Sequence, residues 1–482
     1  MASKVGGVLT AIQSQSYGRV LTAACALIGT AAAVTTLEVD GKDFVNSETK
    51  ERFQIIGVDY QPGGESGFSS TKDPLSQPDA CLRDAILMQS LGVNTIRVYN
   101  VEPTLDHNEC ASIFEAAGIY MILDVNSPYS TGSLNRAEPW TSYTAGYYEQ
   151  VFGVIEAFKA FDNVLGFFAG NEVINQDAAY IAPAYVRAVV RDMKQYIKNN
   201  VNRTIPVGYS AADVRDILMD TANYFECSLS NSTESSADFF GLNSYSWCGD
   251  ATYTSSGYNV LTEDFSNATL PVFFSEYGCN EVTPRTFSEV QALYGEDMTQ
   301  AFSGGLVYEW TQESNNYGLV DVNSSSVVTT LVDFDNLKKQ FNQIDMDRIS
   351  TANKTQTSID APACAADLIT SSDFYNSWDL PEAPSKVSDY IKSGLPNAPS
   401  GSVVSVSSTS LSQTVYDYTG AQITGLTLKV LTGDESAGPS GTSTSSSSSG
   451  TASSTKNAAM ANSAPLALGG ISGFFMLLAT LV

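Results

Sequence analysis

The sequence predicts an α/β protein whose main domain is a (β/α)8 barrel, the TIM-barrel fold. Eight short apolar segments recur between residues 50 and 310, and stretches with apolar residues at helical spacing separate most of them. Strand and helix alternating eight times over about 260 residues are typical of this barrel. An open, doubly wound sheet is the alternative, but no glycine-rich phosphate loop follows the first strand.

The strands and helices follow in chain order. The predicted strands are residues 52–60, 95–99, 120–126, 164–172, 206–210, 239–245, 271–278 and 304–310. The clearest helices are "PDACLRDAILMQSLG", "YYEQVFGVIEAFKAF" and "AAYIAPAYVRAVVRDMKQYIKNN". We therefore assign residues 34–345 to the barrel and the irregular residues 346–400 to an extension that Cys364 can tie to it. Residues 401–457 are Ser/Thr-rich, which predicts a disordered, O-glycosylated stalk because little apolar surface is available for burial.

The two ends of the chain predict secretion and membrane attachment. In residues 1–33, Arg19 precedes an apolar stretch that ends in small residues, the pattern of a secretory signal peptide. Residues 458–482 combine small residues with a terminal apolar tail, the pattern of a GPI-attachment signal with Asn457 as the expected attachment site. A membrane-spanning helix is the alternative interpretation at each end.

Charge and cysteine content limit the classes of binding partner and the cellular compartment that we expect. The chain carries 52 acidic against 25 basic residues, a net charge of −27, so nucleic acid would be repelled. Of the seven cysteines, Cys25 lies in the signal, and the remaining six fit disulfides in an oxidising compartment, with fifteen possible connectivities. No C-x-x-C spacing indicates a zinc site. Sequons predict N-glycosylation at Asn202, Asn231, Asn267, Asn323 and Asn353.

Polar residues end most of the predicted strands, at the face where barrel enzymes carry their active sites. Two carboxylates are distinctive because each ends an otherwise apolar run: Glu172 in "VLGFFAGNE" and Glu276 in "PVFFSEYG". The strand-end residues as a whole are Tyr60, Gln61, Arg97, Tyr99, Asp124, Asn126, Asn171, Glu172, Tyr209, Ser210, Asn243, Tyr245, Glu276, Tyr277, Tyr308, Glu309 and Trp310. They predict a cup of carboxylates, amides and aromatic rings.

Several kinds of catalytic site are excluded. The chain has one histidine, His107, and no nucleophile elbow, so a Ser-His-Asp triad is not expected. It lacks a P-loop and a dinucleotide fingerprint, and we expect neither a cofactor nor a metal. Carboxylate chemistry remains, as in glycosidases, which use one protonated and one ionised carboxyl group. Glu172 and Glu276 fit that pair; the alternative is that both are structural ion-pair partners of Arg97.

A set of short motifs closely resembles a known family. The motifs are "GVDYQPGG" (57–64), "RVY" (97–99), "GNEV" (170–173), "YSWCGD" (245–250), "SEYGC" (275–279) and "YEW" (308–310). Through them, the region from about residue 36 to 375 resembles the fungal GPI-anchored β-1,3-glucanosyltransferases of glycoside hydrolase family 72. Only Cys364 follows Cys279, so the chain resembles the subclass without a C-terminal cysteine-rich carbohydrate-binding module.

The resemblance implies roles for individual residues. Glu172 matches the family's acid/base and Glu276 its nucleophile. The matching cleft positions are Gln61, Tyr99, Asp124, Asn171, Tyr245, Tyr308 and Tyr317. The segment "NSPYSTGSLN" resembles a glucan-contacting loop, with contacts expected at Asn126, Tyr129, Ser133 and Asn135, and a further binding pair is matched by Asp213 and Arg215. The implied disulfides are Cys81–Cys110, Cys227–Cys364 and Cys248–Cys279.

The activity that the resemblance implies is a transfer with retained configuration. An internal β-1,3-glucan linkage is cleaved, and the new reducing end is joined to the non-reducing end of another β-1,3-glucan. A β-1,3-glucanase that hydrolyses the same linkage and a non-catalytic glucan-binding wall protein are the alternatives. We expect a monomer held by a GPI anchor at the extracellular face of the plasma membrane, with the cell wall as the alternative location.

Overall fold

The computed structural model describes residues 34–176, 181–324, 327–351, 360–375, 377–431 and 436–439. The predicted signal peptide, the sequon at Asn353 and the attachment site at Asn457 lie outside these residues. Within them, no helix has the length and apolar character needed to cross a membrane. The four sequon asparagines that are described, Asn202, Asn231, Asn267 and Asn323, are all exposed.

The elements alternate along the chain as a barrel requires. The strands are β1 (Leu37–Asp40), β2 (Asp43–Asn46), β3 (Arg52–Phe53), β4 (Ile55–Asp59), β5 (Thr95–Val98), β6 (Tyr120–Asp124), β7 (Val164–Asn171), β8 (Val207–Ala212), β9 (Phe239–Asn243), β10 (Val272–Tyr277), β11 (Gly304–Val307), β12 (Val320–Ser324), β13 (Val327–Thr330), β14 (Thr414–Tyr416) and β15 (Gln422–Ile423). The α-helices are α1 (Pro78–Leu91), α2 (Asn108–Ala116), α3 (Ala145–Phe158), α4 (Ala182–Asn200), α5 (Leu218–Glu226), α6 (Tyr258–Asp264), α7 (Glu289–Leu293), α8 (Val332–Phe341), α9 (Met346–Thr351) and α10 (Ser385–Ser393).

Strands β4 to β11 close into a parallel barrel, which confirms the predicted fold class. Neighbours in the barrel are neighbours in the chain, and β11 pairs with β4 to complete the ring, with Val307 opposite Val58. All eight predicted strands are present, with ends shifted by a few residues. Because the strands are parallel, their carboxyl ends meet at one face, where the strand-end residues of the sequence gather.

The opposite end of the barrel is closed by a small sheet that the sequence analysis did not predict. Strands β1, β2 and β3 form this antiparallel sheet. From β2, the ring of Phe44 enters the barrel and lies 5.8 Å from the ring of Phe239 and 5.9 Å from that of Phe273. The barrel interior is therefore a packed aromatic core beneath the active-site face rather than a channel.

Three disulfides link the outer elements, in the pairings that the resemblance implies. They join Cys81 to Cys110, Cys227 to Cys364, and Cys248 to Cys279. Beyond Cys364, Trp378 stacks on Tyr224 with ring centroids 4.7 Å apart, and α10 bonds to the end of α4. The extension after the barrel thus packs on helices α4 and α5.

The prediction that a disordered stalk begins at residue 401 is wrong for residues 401–431. Strand β14 adds in parallel to β13, and β15 pairs with β14. The side chains of Val415, Leu428 and Leu431 are buried, which offsets the conformational entropy lost on ordering this Ser/Thr-rich segment. Composition alone missed these few apolar residues because they are spread thinly among polar ones.

The last described residues lie at the closed end of the barrel. The Leu431 N–H donates to the carbonyl of Ala116, and the Ala437 N–H to that of Gly118, both at 2.8–2.9 Å. Pro439 lies against Gly92, at the end of α1. Gly92 and Gly118 lie three and two residues before strands β5 and β6, so the last described residues lie at the pole where the barrel strands begin.

Candidate active site

Arg97 lies at the centre of the strand-end cluster. Its guanidinium is fully buried and donates to both carboxylate oxygens of Asp124, at 3.2 and 2.9 Å. It also donates to Glu276 Oε1 at 3.2 Å and to Asn171 Oδ1 at 2.9 Å. One cation from β5 therefore connects the ends of β6, β7 and β10, and offsets the cost of burying two carboxylates there.

Glu276, on β10, is a buried carboxylate held by several donors. Tyr99 donates to its Oε1 at 2.9 Å and Tyr245 to its Oε2 at 2.7 Å, in addition to the bond from Arg97. Burial raises its pKa to about 7; Arg97 opposes this, the charge of Glu172 adds to it, and the two tyrosine hydroxyls lower it. Three donors on one carboxylate favour its ionised form.

Glu172 occupies a different environment directly after β7. Its backbone lies in the left-handed region, with φ of 47°, which turns the chain at the strand end, and its N–H donates to the carbonyl of Ser210. The side chain is half-buried, and Asn243 Nδ2 donates to its Oε1 at 2.8 Å. Arg97 donates to Glu276 but makes no hydrogen bond to Glu172 among the described contacts, so the ion-pair alternative applies to one glutamate and not to the other.

Asn243, Ser210 and Ser275 form a buried polar group; Asn243 and Ser210 were predicted as strand-end residues without a specific role, and Ser275 was not singled out. Both hydroxyls donate to Asn243 Oδ1, at 3.1 Å from Ser210 and 2.7 Å from Ser275. Asn243 Nδ2 donates to Asn171 as well as to Glu172. Asn243 is also the register partner of Glu276 between β9 and β10, so it lies beside both glutamates. Its signal is the one that marks Glu172, a polar residue ending an apolar run.

Four tyrosines, Tyr99, Tyr245, Tyr308 and Tyr317, form what we call the tyrosine wall. Ring centroids are 6.4 Å apart for Tyr99 and Tyr308, 6.3 Å for Tyr245 and Tyr308, and 5.2 Å for Tyr308 and Tyr317. All four rings were expected in the cleft, and the structure brings them together around Glu276. Such rings can stack on the C–H faces of a sugar while their hydroxyls bond to it.

Tyr308 and Tyr317 of the tyrosine wall are held by Arg285, which was not predicted from the sequence. Its guanidinium donates to the carbonyls of Tyr308 and Tyr317, at 2.7 and 2.5 Å. It is ion-paired with Asp333, on α8, at 2.6 Å. No strand-end pattern marks Arg285, because it lies in the loop after β10 and acts on main-chain atoms.

The other predicted site residues are more widely spread. Gln61 is buried, and its Oε1 accepts a bond from the Asn100 N–H. Asn126 bonds to Tyr147, and Asp213 is ion-paired with Arg215 and accepts a bond from Ser244, the neighbour of Asn243. Three residues of the loop after β6 are exposed and make no described contact with the glutamates: Tyr129, Ser133 and Asn135.

Asp59 is a further carboxyl group that the sequence analysis did not single out. It ends β4 opposite Arg97 in register, and it is fully buried. Neither oxygen has a donor at hydrogen-bond geometry among the described residues, although the Tyr99 hydroxyl is close enough to lower its pKa. Burial outweighs this and the charge of Arg97, and raises the pKa of Asp59 well above its usual range. Burial thus favours the protonated form of Asp59, whereas the carboxylate of Glu276 has three described donors.

Replacing Tyr245 by phenylalanine should shift the acid limb of kcat/KM to higher pH, by about one unit. The Tyr245 hydroxyl lowers the pKa of Glu276. Without this donor the ionised form is less favoured, the pKa rises, and a higher pH is needed to ionise Glu276. A pH profile of kcat/KM measures the shift.

The matched control for that profile is Tyr317→Phe, since this ring belongs to the same wall but its hydroxyl makes no described bond to Glu276. Its acid limb should stay in place even if the rate changes. Equal shifts in the two variants would show that the wall, and not the hydrogen bond, sets the pKa.

Among the residues that the structure describes, one group could offer three metal ligands: Cys248, Cys279 and Glu281. The two sulfur atoms are joined in a disulfide, so neither is available as a thiolate.

Comparison with known families agrees with this arrangement. Residues 26–345 match glycoside hydrolase family 72, described as glucanosyltransferase. The chain belongs to this family. The family region contains every barrel strand, both strand-end glutamates and the tyrosine wall.

Relatives within glycoside hydrolase family 72 cover most of the chain. The 1,3-β-glucanosyltransferase gel2 of Aspergillus fumigatus is 62% identical over 424 residues, which are 88% of this chain and 89% of the relative. The 1,3-β-glucanosyltransferase GAS4 of Saccharomyces cerevisiae is 48% identical over 70% of this chain and 72% of its own length. Solved structures of Saccharomyces cerevisiae Gas2p with laminaripentaose superpose with a TM-score of 0.64 at 39% identity, covering 74% of this chain and 78% of that one.

Proposed function

We propose that this protein is a retaining 1,3-β-glucanosyltransferase in which Glu276 is the nucleophile and Glu172 the acid/base. The observation that carries the assignment is the unequal environment of the two glutamates. Glu276 accepts bonds from Arg97, Tyr99 and Tyr245, which stabilise a negative charge. Glu172 is half-buried, and its one described side-chain donor is the neutral amide of Asn243, so no cation holds its carboxyl group as Arg97 holds that of Glu276.

The first step transfers the part of the donor glucan on the non-reducing side of the cleaved linkage to the enzyme. A Glu276 oxygen bonds to the sugar C1 while the C1–O bond breaks, and its electron pair remains on the departing oxygen. Glu172 gives its proton to that oxygen, and a fragment with a new non-reducing end leaves. The resulting ester carries no charge, so Arg97 and the two tyrosine hydroxyls stabilise it less than they stabilise the free carboxylate.

The second step passes the glycosyl group to another chain. Glu172, now ionised, takes the proton of the 3-OH at the non-reducing end of the acceptor, whose oxygen bonds to C1 as the ester bond to Glu276 breaks. The two inversions give net retention. The tyrosine wall supports transfer over hydrolysis because stacked rings bind a sugar acceptor and leave less room for water.

The substrate class is supported by the relatives rather than by any bound sugar. The structures of Gas2p contain laminaritetraose and laminaripentaose, which are β-1,3-linked glucose oligomers. We propose β-1,3-glucan as both donor and acceptor for this chain. The three disulfides fit an extracellular protein, and the terminal sequence patterns support attachment to the membrane through a GPI anchor.

Product analysis tests the proposal. The protein is incubated with a reduced laminari-oligosaccharide, and the products are sized and their new linkage is examined by NMR. We expect oligosaccharides longer than the starting material, joined by β-1,3 linkages. Exclusively shorter products would make the protein a β-1,3-glucanase, and binding without turnover would make it a glucan-binding protein.

A further inference from the structure

The direction of the hydrogen bonds beneath the two glutamates can be read from Arg97. A guanidinium donates and cannot accept, so the Asn171 atom 2.9 Å from Arg97 has to be its oxygen, Oδ1. The Asn243 atom 3.1 Å from that same oxygen then has to be a donor, Nδ2. The orientation of both amides follows from one cation, without reference to any hydrogen position.

The other side of Asn243 is consistent with this orientation. With Nδ2 facing Asn171, Oδ1 faces the hydroxyls of Ser210 and Ser275, which can rotate to donate to it. All three side chains are buried, and the two hydroxyls also lie 2.9 Å from each other. The orientation of Asn243 is therefore fixed from the Arg97 side, and the serine hydroxyls rotate to match it.

The fixed amide determines which oxygen of Glu172 carries a proton. Nδ2 donates to Glu172 Oε1 at 2.8 Å, and an oxygen that accepts this bond from an N–H group cannot direct its own O–H along the same line. The proton is left to Oε2. Resting on the proposed role of Glu172 as acid/base, we propose that Asn243 is a positioning residue that keeps the catalytic proton on Oε2 and directs it away from the barrel core.

This arrangement serves both steps of the transfer. In the first step Oε2–H gives its proton to the departing oxygen, and Oε1 stays bonded to Asn243. In the second step the carboxylate accepts the acceptor's proton on Oε2 again, since Oε1 is still occupied. Arg97 thus acts on both glutamates, directly on Glu276 and on Glu172 through Asn171 and Asn243.

Leaving-group dependence tests the proposal on the full protein. When an unactivated laminari-oligosaccharide is cleaved, the departing sugar oxygen needs a proton. The 2,4-dinitrophenyl glycoside of the same oligosaccharide instead releases dinitrophenolate, a stable anion that needs none. Asn243→Asp replaces the donor by a second carboxylate oxygen. We expect kcat/KM on the unactivated donor to fall about 10- to 100-fold, and the burst of dinitrophenolate to change less than about 3-fold.

Asn94→Asp is the matched control. Asn94 is also a buried barrel asparagine that bonds through both ends of its amide, but it precedes β5 at the opposite pole. Its variant should lower the melting temperature without any leaving-group dependence. If Asn243→Asp does not fold, Asn243→Ser, which cannot reach Glu172, is measured in its place.

The outcomes distinguish a failure of the positioning role of Asn243 from a failure of the acid/base role of Glu172. Equal losses on both donors, or none, in the Asn243 variants would overturn the positioning role. The Glu172→Gln variant is measured in parallel: if its losses are also equal on both donors, the acid/base assignment itself fails. A donor-dependent loss in Glu172→Gln without one at Asn243 would leave the proposed function standing and remove only this inference.

Discussion

Replacing Glu276 by glutamine is expected to lower the rate of glucan transfer by more than about 10³-fold on any donor. Glutamine keeps the size of the side chain but cannot form the ester with the sugar C1. Because the nucleophile attacks in the same step in which the leaving group departs, an activated dinitrophenyl donor still needs it and should not restore the rate. Dinitrophenolate release and product sizing measure both parts of this expectation.

The control for Glu276 is Glu289→Gln. Glu289 is another buried glutamate of the barrel, on α7, and burial raises its pKa to about 7 as well, but it lies outside the described contacts of the site. Its variant should keep the wild-type rate. In Glu276→Gly, azide should restore turnover of the activated donor and yield an α-glycosyl azide. A β-glycosyl azide there would assign the nucleophile to another group.

Replacing Arg97 by methionine should abolish activity and lower the free energy of unfolding by about 3–5 kcal/mol at pH 7.5. Methionine fills similar space but leaves Asp124 and Glu276 buried without their cation. Arg97 lowers the pKa of both carboxyl groups, against the dominant effect of burial, so both pKa values rise further in the variant. Denaturant unfolding measures the loss.

The pH dependence of that loss has a definite sign. Above the unfolded pKa of these groups, near 4, the variant must bury charge or take up protons on folding, so the penalty grows with pH. Below pH 4 both carboxyl groups are protonated in either state, and the difference between variant and wild type should shrink. Arg215→Met, which breaks a more exposed pair with Asp213, should cost no more than about 1 kcal/mol. If Arg97→Met lowered the free energy of unfolding equally at pH 7.5 and below pH 4, the loss would come from packing and not from charge.

The barrel could be predicted because its strands are buried on both faces and therefore read as continuous apolar runs. Strands β1 to β3 are only two to four residues long, so their apolar segments are too short to be recognised as strands from the sequence. Their one local signal is the Asp40–Gly41 pair, where Gly41 has a φ of 59° and the chain turns back. The appended sheet of β12 to β15 could not be found at all, since it joins strands about ninety positions apart in a polar region.

The two glutamates could be predicted because a carboxylate that ends an apolar strand has few structural uses. The same strand-end pattern also gave Arg97, Tyr99 and Tyr245, but it assigned no role to Asn243 and Ser210. It missed Ser275 because a small polar residue within a strand is a pattern that many barrel positions share. The part played by Asn243 depends on which atoms face Arg97, Asn171 and Glu172, and that information exists only in three dimensions.

The last described residues bear on how the enzyme meets its polymer. Leu431, Ala437 and Pro439 lie at the pole where the barrel strands begin, while both glutamates lie at the pole where the strands end. Any anchor that follows residue 439 therefore starts on the far side of the domain from the cleft. The proposed GPI attachment would therefore leave the pole that carries both glutamates open to a long glucan chain.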